Sequence, residues 1–441
     1  MKKNILLFIL LTNIFLYTLS FRLGLERPIV NLDYILVYLV FISFNYNKLL
    51  KILAMACLLT MTGIEILLLV NQIFPFVKIG DVFYLSTFVF TGPAAYQKWF
   101  FITIFYLILT YVIASEYFFV KRRQTKFNIV FAYIILCCGF AFLHFDIIRS
   151  QTLFFIMNQS SDYNEVTGST ELLVNNKYDS VSKQLFDNIN KDSNSKKILL
   201  IVNESLGKAT DSNIQKALLA PLYKHSSQYE YIEDGSFRFV GATVSGELRE
   251  LCQKNATVMD IRKVEDREFS NCLPELLNQQ GYDTYSVHGA DGNLYDRYRW
   301  YPLIGFEHTL FKEDFEEARD CKSFSGKCDY DLFEPIADIL ASKEKVLLYW
   351  LTLNTHAPYD DYLFVNDFNC EDFSLKEKSE ACLNFKQQYQ FFYRLSEYVQ
   401  DDRMKGVKVY IVGDHAPPIV SLKDNFSVFE DFDVSWVKFK I

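Results

Sequence analysis

Five apolar stretches, at about Ile5–Ser20, Pro28–Tyr46, Leu49–Phe76, Trp99–Val120 and Phe127–Ile148, lie before residue 150. A helix needs roughly 20 predominantly apolar residues to cross a hydrocarbon core, and most of these stretches reach that length. The chain therefore has to build a membrane domain first and something different afterwards. Lys2 and Lys3 before the first stretch give it the look of a signal peptide. No small-residue cleavage site precedes Arg22, however, and further spans follow, so it reads as a retained helix.

Lys and Arg near span ends set orientation. With the N-terminus in the cytoplasm, eight of them (Lys2, Lys3, Lys48, Lys51, Lys121, Arg122, Arg123, Lys126) fall inside, against five outside (Arg22, Arg27, Lys78, Lys98, Arg149). The run KRRQTK carries most of that bias. An odd number of spans then places everything after residue 150 outside the cytoplasm. The cysteines agree: Cys57, Cys137 and Cys138 lie in spans, whereas the outer segment holds Cys252, Cys272, Cys321, Cys328, Cys370 and Cys382. An even count in an oxidising compartment implies up to three disulfides, and the short spacings favour Cys321 with Cys328 and Cys370 with Cys382. No spacing typical of structural zinc occurs. A net charge of −8 argues against a nucleic-acid binder.

Residues 151–196 are polar and rich in Asn, Ser and Asp, and read as a juxtamembrane connector with one amphipathic helix near Ser180–Asn190. Strand-like runs then recur at Lys197–Val202, Phe237–Val240, Thr284–Val287, Val346–Thr352 and Val407–Val412, with a last one over Asp433–Ile441. Helical patterns at Glu247–Lys254, Leu273–Gln280 and Phe385–Val399 lie between them. That alternation predicts an α/β domain over 197–441 around a central, mostly parallel sheet.

In such a sheet the loops after the carboxyl ends of the strands converge on one crevice. Glu204, Thr243, His288, His356 and the pair Asp414-His415 each follow a strand-like run. Glu204 is thrown out at the tip of KILLIVNES, and GDHAPP forces Asp414 and His415 into a loop. Carboxylate with imidazole is a donor set for a borderline cation. Thr243, in GATVSGE, stands before a helix predicted to start near Gly246, where Thr243 or Ser245 could equally serve as a cap. As a nucleophile it would need its proton drawn off by a bound metal. His288 is followed by Tyr295 and Arg297, and His with Arg can neutralise a phosphoryl group. His144, His225 and His308 lack such settings and read as structural.

The ordered series Glu204-Ser205, Gly241-x-Thr243-x-x-x-Glu247, His288-Gly289 with a following aromatic and Arg, Asn354-x-His356-x-Pro358 and Gly413-Asp414-His415 resembles the alkaline phosphatase and sulfatase superfamily. Within it the layout is most similar to membrane-anchored lipoteichoic acid synthases and phosphoethanolamine transferases, which carry five spans before an extracytoplasmic catalytic domain. The resemblance implies a Zn or Mn site formed by Glu204, Thr243, Asp414 and His415, with Thr243 the nucleophile. It also implies phosphate or head-group contacts from His288, Tyr295, Arg297 and His356. The expected location is a bacterial cytoplasmic membrane with the catalytic domain facing the periplasm or exterior. The expected partners are a membrane phospholipid donor, an envelope glycan acceptor and the bilayer, with no nucleic acid. Phosphoethanolamine is the first choice of transferred group and glycerol phosphate the second. A sulfatase or phosphodiesterase is a rival class, although no C/S-x-P-x-R pattern follows Thr243, and a non-catalytic membrane sensor is a third.

Overall fold

The computed structural model describes residues 10–22, 25–43, 48–73, 79–88, 94–118, 134, 147–158, 172–189, 196–360, 363–417, 419 and 428–441. They fall into two compact units, one drawn from Met1–Ile79 and Tyr96–Glu165, the other from Gly80–Ala95, Val166–Ile419 and Asp424–Ile441.

In the first unit the apolar stretches form helices at Leu16–Arg22 (after a π-turn at Leu10–Phe15), Leu32–Ser43, Lys48–Ile73 and Ala94–Phe118. Among the described residues one helix, with its apolar window at Met55–Gln72, is long and apolar enough to cross a membrane; Phe100–Val112 is a shorter apolar run. The KRRQTK loop and, apart from residues 134, 147 and 148, the fifth expected span lie outside the described residues. Arg27, buried in this unit, pairs with Glu65 at 2.7 Å and donates to the Thr12 and Asn13 carbonyls. Burying a charge without such partners would cost far more than the apolar packing around it gains.

The second unit is built on one eight-stranded mixed sheet. In chain order its strands are β1 (Lys197–Asn203), β2 (Gly207–Ala209), β3 (Tyr231–Arg238), β4 (Asp283–His288), β5 (His308–Leu310), β6 (Val346–Leu351), β7 (Val407–Gly413) and β8 (Phe429–Lys440). Five of them run parallel in the order β7-β1-β6-β4-β5. The strand β8 closes one side antiparallel to β7, and β2 and β3 pair antiparallel with β8. The sheet is thus parallel from β7 out to its β5 edge and antiparallel on the other side, where the run Phe237–Val240 belongs to the antiparallel ribbon rather than to the parallel core.

KILLIVN and VLLYWL are almost wholly buried, as central parallel strands covered on both faces must be. Their side chains alternate between two cores. Leu199, Ile201, Leu348, Trp350, Val409 and Ile411 pack with helices α1 (Ser212–Tyr223), α4 (Asp329–Ser342) and α5 (Glu380–Tyr398). Ile198, Leu200, Val202, Leu347, Tyr349 and Val412 pack with α2 (Thr243–Cys252) and α3 (Leu273–Asn278). Three disulfides staple the loops: Cys252–Cys272, Cys321–Cys328 and Cys370–Cys382.

Candidate active site

Register brings the site together. In the parallel core Asn203 pairs with Gly413, Val202 with both Val412 and Leu351, and Leu351 with His288. The strands therefore end at one level, and Glu204, Asp414, His288 and the His356 loop emerge side by side. Ser205, next to Glu204, has φ 56°, a left-handed conformation uncommon outside glycine. That turn aims its N–H at Asp414 Oδ1 (2.7 Å), which also accepts the His415 N–H (2.8 Å). Thr352 and Thr355 fix the other side of the tip: Thr352 Oγ1 accepts the Glu204 N–H (2.9 Å), and Thr355 Oγ1 donates to the Glu204 carbonyl (2.6 Å).

The helix α2 starts at Thr243 itself, with Ala242 as N-cap and no side chain bonded to the end. Thr243 is thus the first helical residue, three positions earlier than the sequence suggests, and neither it nor Ser245 serves as cap. The first N–H groups of a helix have no intrahelical partner, so this uncapped end can receive anionic oxygens. Gly246 lets α2 lie against Asp414, where an added Cβ would stand 2.9 Å from the Asp414 Cα.

At the centre, Thr243 Oγ1 lies 3.3 Å from Glu204 Oε1 and 3.4 Å from His415 Nε2. His415 Nε2 is 3.1 Å from Glu204 Oε1 and 3.2 Å from Asp414 Oδ2. Its Nδ1 faces the Ala416 carbonyl at 2.8 Å, and Nδ1 of His356 likewise faces the Ala357 carbonyl. A backbone acceptor on Nδ1 is the usual way to present Nε2 as a ligand. Glu204, His356 and His415 each offer a ligand atom, and these atoms lie within 4.8 Å of one another. His356, which the sequence assigned to the substrate, therefore sits among the candidate ligands.

Electrostatics show what the cluster lacks. Burial, then the neighbouring Asp414 charge, push the Glu204 carboxyl up to about 8. Burial pulls on His415 in the opposite sense, but the two carboxylates outweigh it and raise the imidazole to about 9. Asp414 is penalised by burial yet held below the ordinary range by His415 and by its backbone donors. Its buried Oδ2 accepts no hydrogen bond and has the His415 ring nitrogen beside it at 3.2 Å. Two carboxylates, one of them with an oxygen that accepts no hydrogen bond, and two imidazole nitrogens fit a borderline divalent cation such as Zn or Mn. His356 is lowered to about 4 by burial and by His415, which keeps it neutral and able to ligate.

The remaining predicted residues are distributed unevenly. His288 is buried, with Nδ1 3.0 Å from the Leu351 carbonyl and Nε2 unpartnered; burial and Arg297 hold it well below its usual range. Tyr295 and Asp296 both adopt positive φ (56° and 55°). Tyr84 Oη donates to Asp296 Oδ2 at 2.9 Å, and Phe88 packs on the Tyr295 ring at 5.6 Å. This rim, from the segment between two apolar stretches, carries no motif and could not be read from the sequence. Arg297 is not brought to the cluster by its guanidinium. Nη2 and Nε bond Glu247 at 2.8 and 3.2 Å and Nη1 donates to the Leu294 carbonyl, while Tyr301 and Tyr349 hydroxyls also donate to Glu247. The pair Arg297–Glu247 fastens the Tyr295 loop to α2, so Glu247, the last residue of G-x-T-x-x-x-E, is a scaffold residue. His308 stacks on Tyr285 at 4.3 Å, a structural role as expected.

Residues 243–421 match the Sulfatase family model. The matched segment contains Thr243, His288, His356, Asp414 and His415, five of the residues that carry the motif resemblance. No curated protein matches the sequence. Among solved structures, the sulfatase-like domain is similar to the lipoteichoic acid synthase LtaP from Listeria monocytogenes, at 16% identity over 58% of this chain and 71% of that one, with a TM-score of 0.42. The Streptococcus pyogenes phosphoglycerol transferase GacH, in complex with sn-glycerol-1-phosphate, gives 16% identity, 59% and 72% coverage and a TM-score of 0.40. The C-terminal periplasmic domain of EptC from Escherichia coli, in complex with Zn, gives 11% identity, 56% and 73% coverage and a TM-score of 0.37.

Proposed function

We propose that this protein is a metal-dependent phosphotransferase. It takes a phosphorus-containing head group from a membrane phospholipid, holds it covalently on Thr243 and passes it to a hydroxyl of an envelope glycan. The observation that carries this is the placement of Thr243 Oγ1, at an uncapped helix start and within 3.4 Å of both Glu204 and His415. An aliphatic hydroxyl is hardly ionised at neutral pH and needs help to act. A divalent cation held by Glu204, Asp414, His415 and His356 would supply Lewis acidity there, lowering the hydroxyl's pKa and neutralising phosphoryl charge. The chain's own contributions are distinct. Glu204 Oε1 is placed to accept the Thr243 hydroxyl hydrogen. The first N–H groups of α2 orient the phosphoryl oxygens. His288 offers a buried neutral Nε2, with Tyr295 beside it on the rim.

In the first half-reaction Thr243 Oγ1 bonds to phosphorus and the diacylglycerol oxygen leaves with a proton. In the second, the acceptor oxygen bonds to phosphorus as the Thr243 Oγ1–phosphorus bond breaks, and the acceptor's proton is returned to the Thr243 hydroxyl. Phosphoethanolamine is the first choice of group and glycerol phosphate the second. The burial of Glu204, His356, Asp414 and His415 supports transfer over hydrolysis.

Incubating the full-length protein with phospholipid donor and no acceptor, then mapping peptides by mass spectrometry, should place the head-group adduct on Thr243. The mass of the adduct names the group. Thr243→Ala should abolish both transfer and donor cleavage, whereas Ser245→Ala, which removes no cap, should leave them near wild type. An adduct on Ser245 or Ser205 would refute the assignment.

A further inference from the structure

Two amides on α5, Asn384 and Gln388, are each 1% exposed. Residues 384, 388, 391 and 395 share one face of the helix, and Phe391 and Leu395 on that face are packed in the core. An apolar stripe would continue with two more apolar residues. It turns polar instead where the helix passes under the Glu204 turn, and a buried amide costs stability unless its hydrogen bonds are made there.

They are made to backbone carbonyls of the site. Gln388 Nε2 donates to the Glu204 carbonyl at 3.1 Å, and Asn384 Nδ2 donates to the Thr355 and Ser205 carbonyls at 2.9 and 3.3 Å. The reason lies in the turn. The parallel register ends with Asn203 against Gly413, and the left-handed Ser205 then carries the chain out of the sheet. Such a conformation is opposed by the Cβ of any L-residue, and carbonyls buried beyond the ladder need donors from elsewhere. Asp414 takes the Ser205 N–H on one side. From the other side α5 takes the carbonyls.

The Thr355 carbonyl belongs to the peptide group that joins Thr355 to His356, so one helix face holds backbone next to two candidate metal ligands, Glu204 and His356. The helix is itself fixed. Ser379 caps it by accepting the Cys382 N–H at 3.3 Å, Cys382 is bonded to Cys370, and Phe385 and Phe392 lie in the core.

We infer that Asn384 and Gln388 are positioning residues for the metal centre: through the backbone they aim the Glu204 carboxylate and the His356 imidazole at the cluster beside Thr243. The inference rests on the metal-dependent function proposed above.

The test measures Zn binding to the full-length protein in detergent, by competition with a chromophoric chelator. Gln388→Met keeps the length and the apolar stem of the side chain without its donor. Gln388→Asn keeps the amide but withdraws it by one methylene, so a folding defect in one variant leaves the other to decide. The Zn Kd should rise by about tenfold or more in both, the usual loss when a group behind a metal ligand is removed. At saturating Zn, kcat for donor cleavage should fall while the donor KM stays at the wild-type value. Ser205→Gly removes a hydroxyl that makes no hydrogen bond, and glycine adopts the left-handed turn without steric cost. Added to Gln388→Met, it should restore part of the lost Zn affinity. Leu395→Ala, on the same face but in the core, is the control for helix stability: Tm should drop, with Zn affinity within about twofold of wild type, as for independent sites. Wild-type Zn affinity in both Gln388 variants, or an equal loss in Leu395→Ala, overturns the inference. A wild type that binds Zn but cleaves no phosphodiester refutes the proposed reaction and leaves the Zn measurement to decide on Gln388; a wild type that binds no Zn refutes both.

Discussion

Gly246→Ala is the most revealing single change, because it adds one methyl group in the wrong place. In an exposed helix interior the substitution would stabilise by roughly 0.5–1 kcal/mol, since glycine loses the most entropy on folding. Here the new Cβ would stand 2.9 Å from both Cα and Cβ of Asp414 and 3.0 Å from its carbonyl oxygen. Ordinary contact requires about 3.5 Å or more, so α2 or the Asp414 loop must move by about half an ångström. Neither is free to do so cheaply: Asp414 is bonded to two backbone N–H groups, and α2 is tied to the Tyr295 loop through Glu247 and Arg297. Overpacking of this kind costs about 1–3 kcal/mol, which outweighs the helix gain and lowers Tm by several degrees. Misplacement of the metal and nucleophile groups by ~0.5 Å reaches the tolerance of a preorganised site. Donor cleavage should fall on the order of tenfold to a hundredfold, with weakened metal retention by elemental analysis. A Gly246→Ala protein with raised Tm and full metal content would show that α2 does not press on Asp414.

Arg297→Met should be among the most destabilising substitutions, about 3–5 kcal/mol in chemical denaturation, because it leaves the Glu247 charge buried and unpaired; recovery of most of that loss in Arg297→Met with Glu247→Gln would confirm the pair as the cause, and equal stability of the single and double variants would refute it. Tyr84→Phe removes only the hydroxyl bonded to Asp296, so stability should drop by about 1 kcal/mol. Turnover of the phospholipid donor should fall with metal content intact, and an unaltered rate would exclude a role for this rim in holding Tyr295.

The parts of the fold legible in the sequence are those where one physical demand dominates. KILLIVN, VLLYWL and VKVYIVG are continuous apolar runs because both faces are covered, and their ends place Glu204, His356 and Asp414 without further information. Thr243 was found through its motif, yet its helix begins earlier than the pattern suggests, since Val244 and Leu248 are buried on one face while Gly241 and Gly246 mask the periodicity. The helices α1 and α4 are not legible in the sequence because Pro221 and Pro335 lie inside them, and proline ordinarily reads as a helix breaker. The place of Arg297 could not be read either. The sequence offers Arg near a histidine, whose simplest use is phosphate binding, while the competing partner Glu247 lies 50 residues away. Of the disulfides, the two short-range pairs were legible from spacing, and Cys252–Cys272 follows once those four are assigned.

The charge pattern of the cluster makes metal binding and pH inseparable. Glu204 is pushed up to about 8 and His415 to about 9 in the folded protein. A carboxyl whose pKa is raised on folding contributes stability that is complete below its unfolded value, about 4.3, and is lost as pH rises through the folded value. His415 acts in the same direction, from about 6.5 upward, and the depressed Asp414 matters only in acid. The metal-free protein should therefore lose stability steadily between about pH 5 and pH 9, as a carboxylate and an imidazolium give up protons that the cluster shares. A cation binds the deprotonated groups, so its affinity should rise over the same window and its binding should release protons. Melting curves from pH 5 to 9 on chelated wild type and Glu204→Gln would isolate this contribution, because the amide cannot titrate. Zn titrations at pH 7 in two buffers of different ionisation enthalpy would count the protons. Parallel pH slopes for the two proteins, or metal uptake without proton release, would mean that Glu204 and His415 are already deprotonated and that the cluster is not poised by its own charges to take a cation.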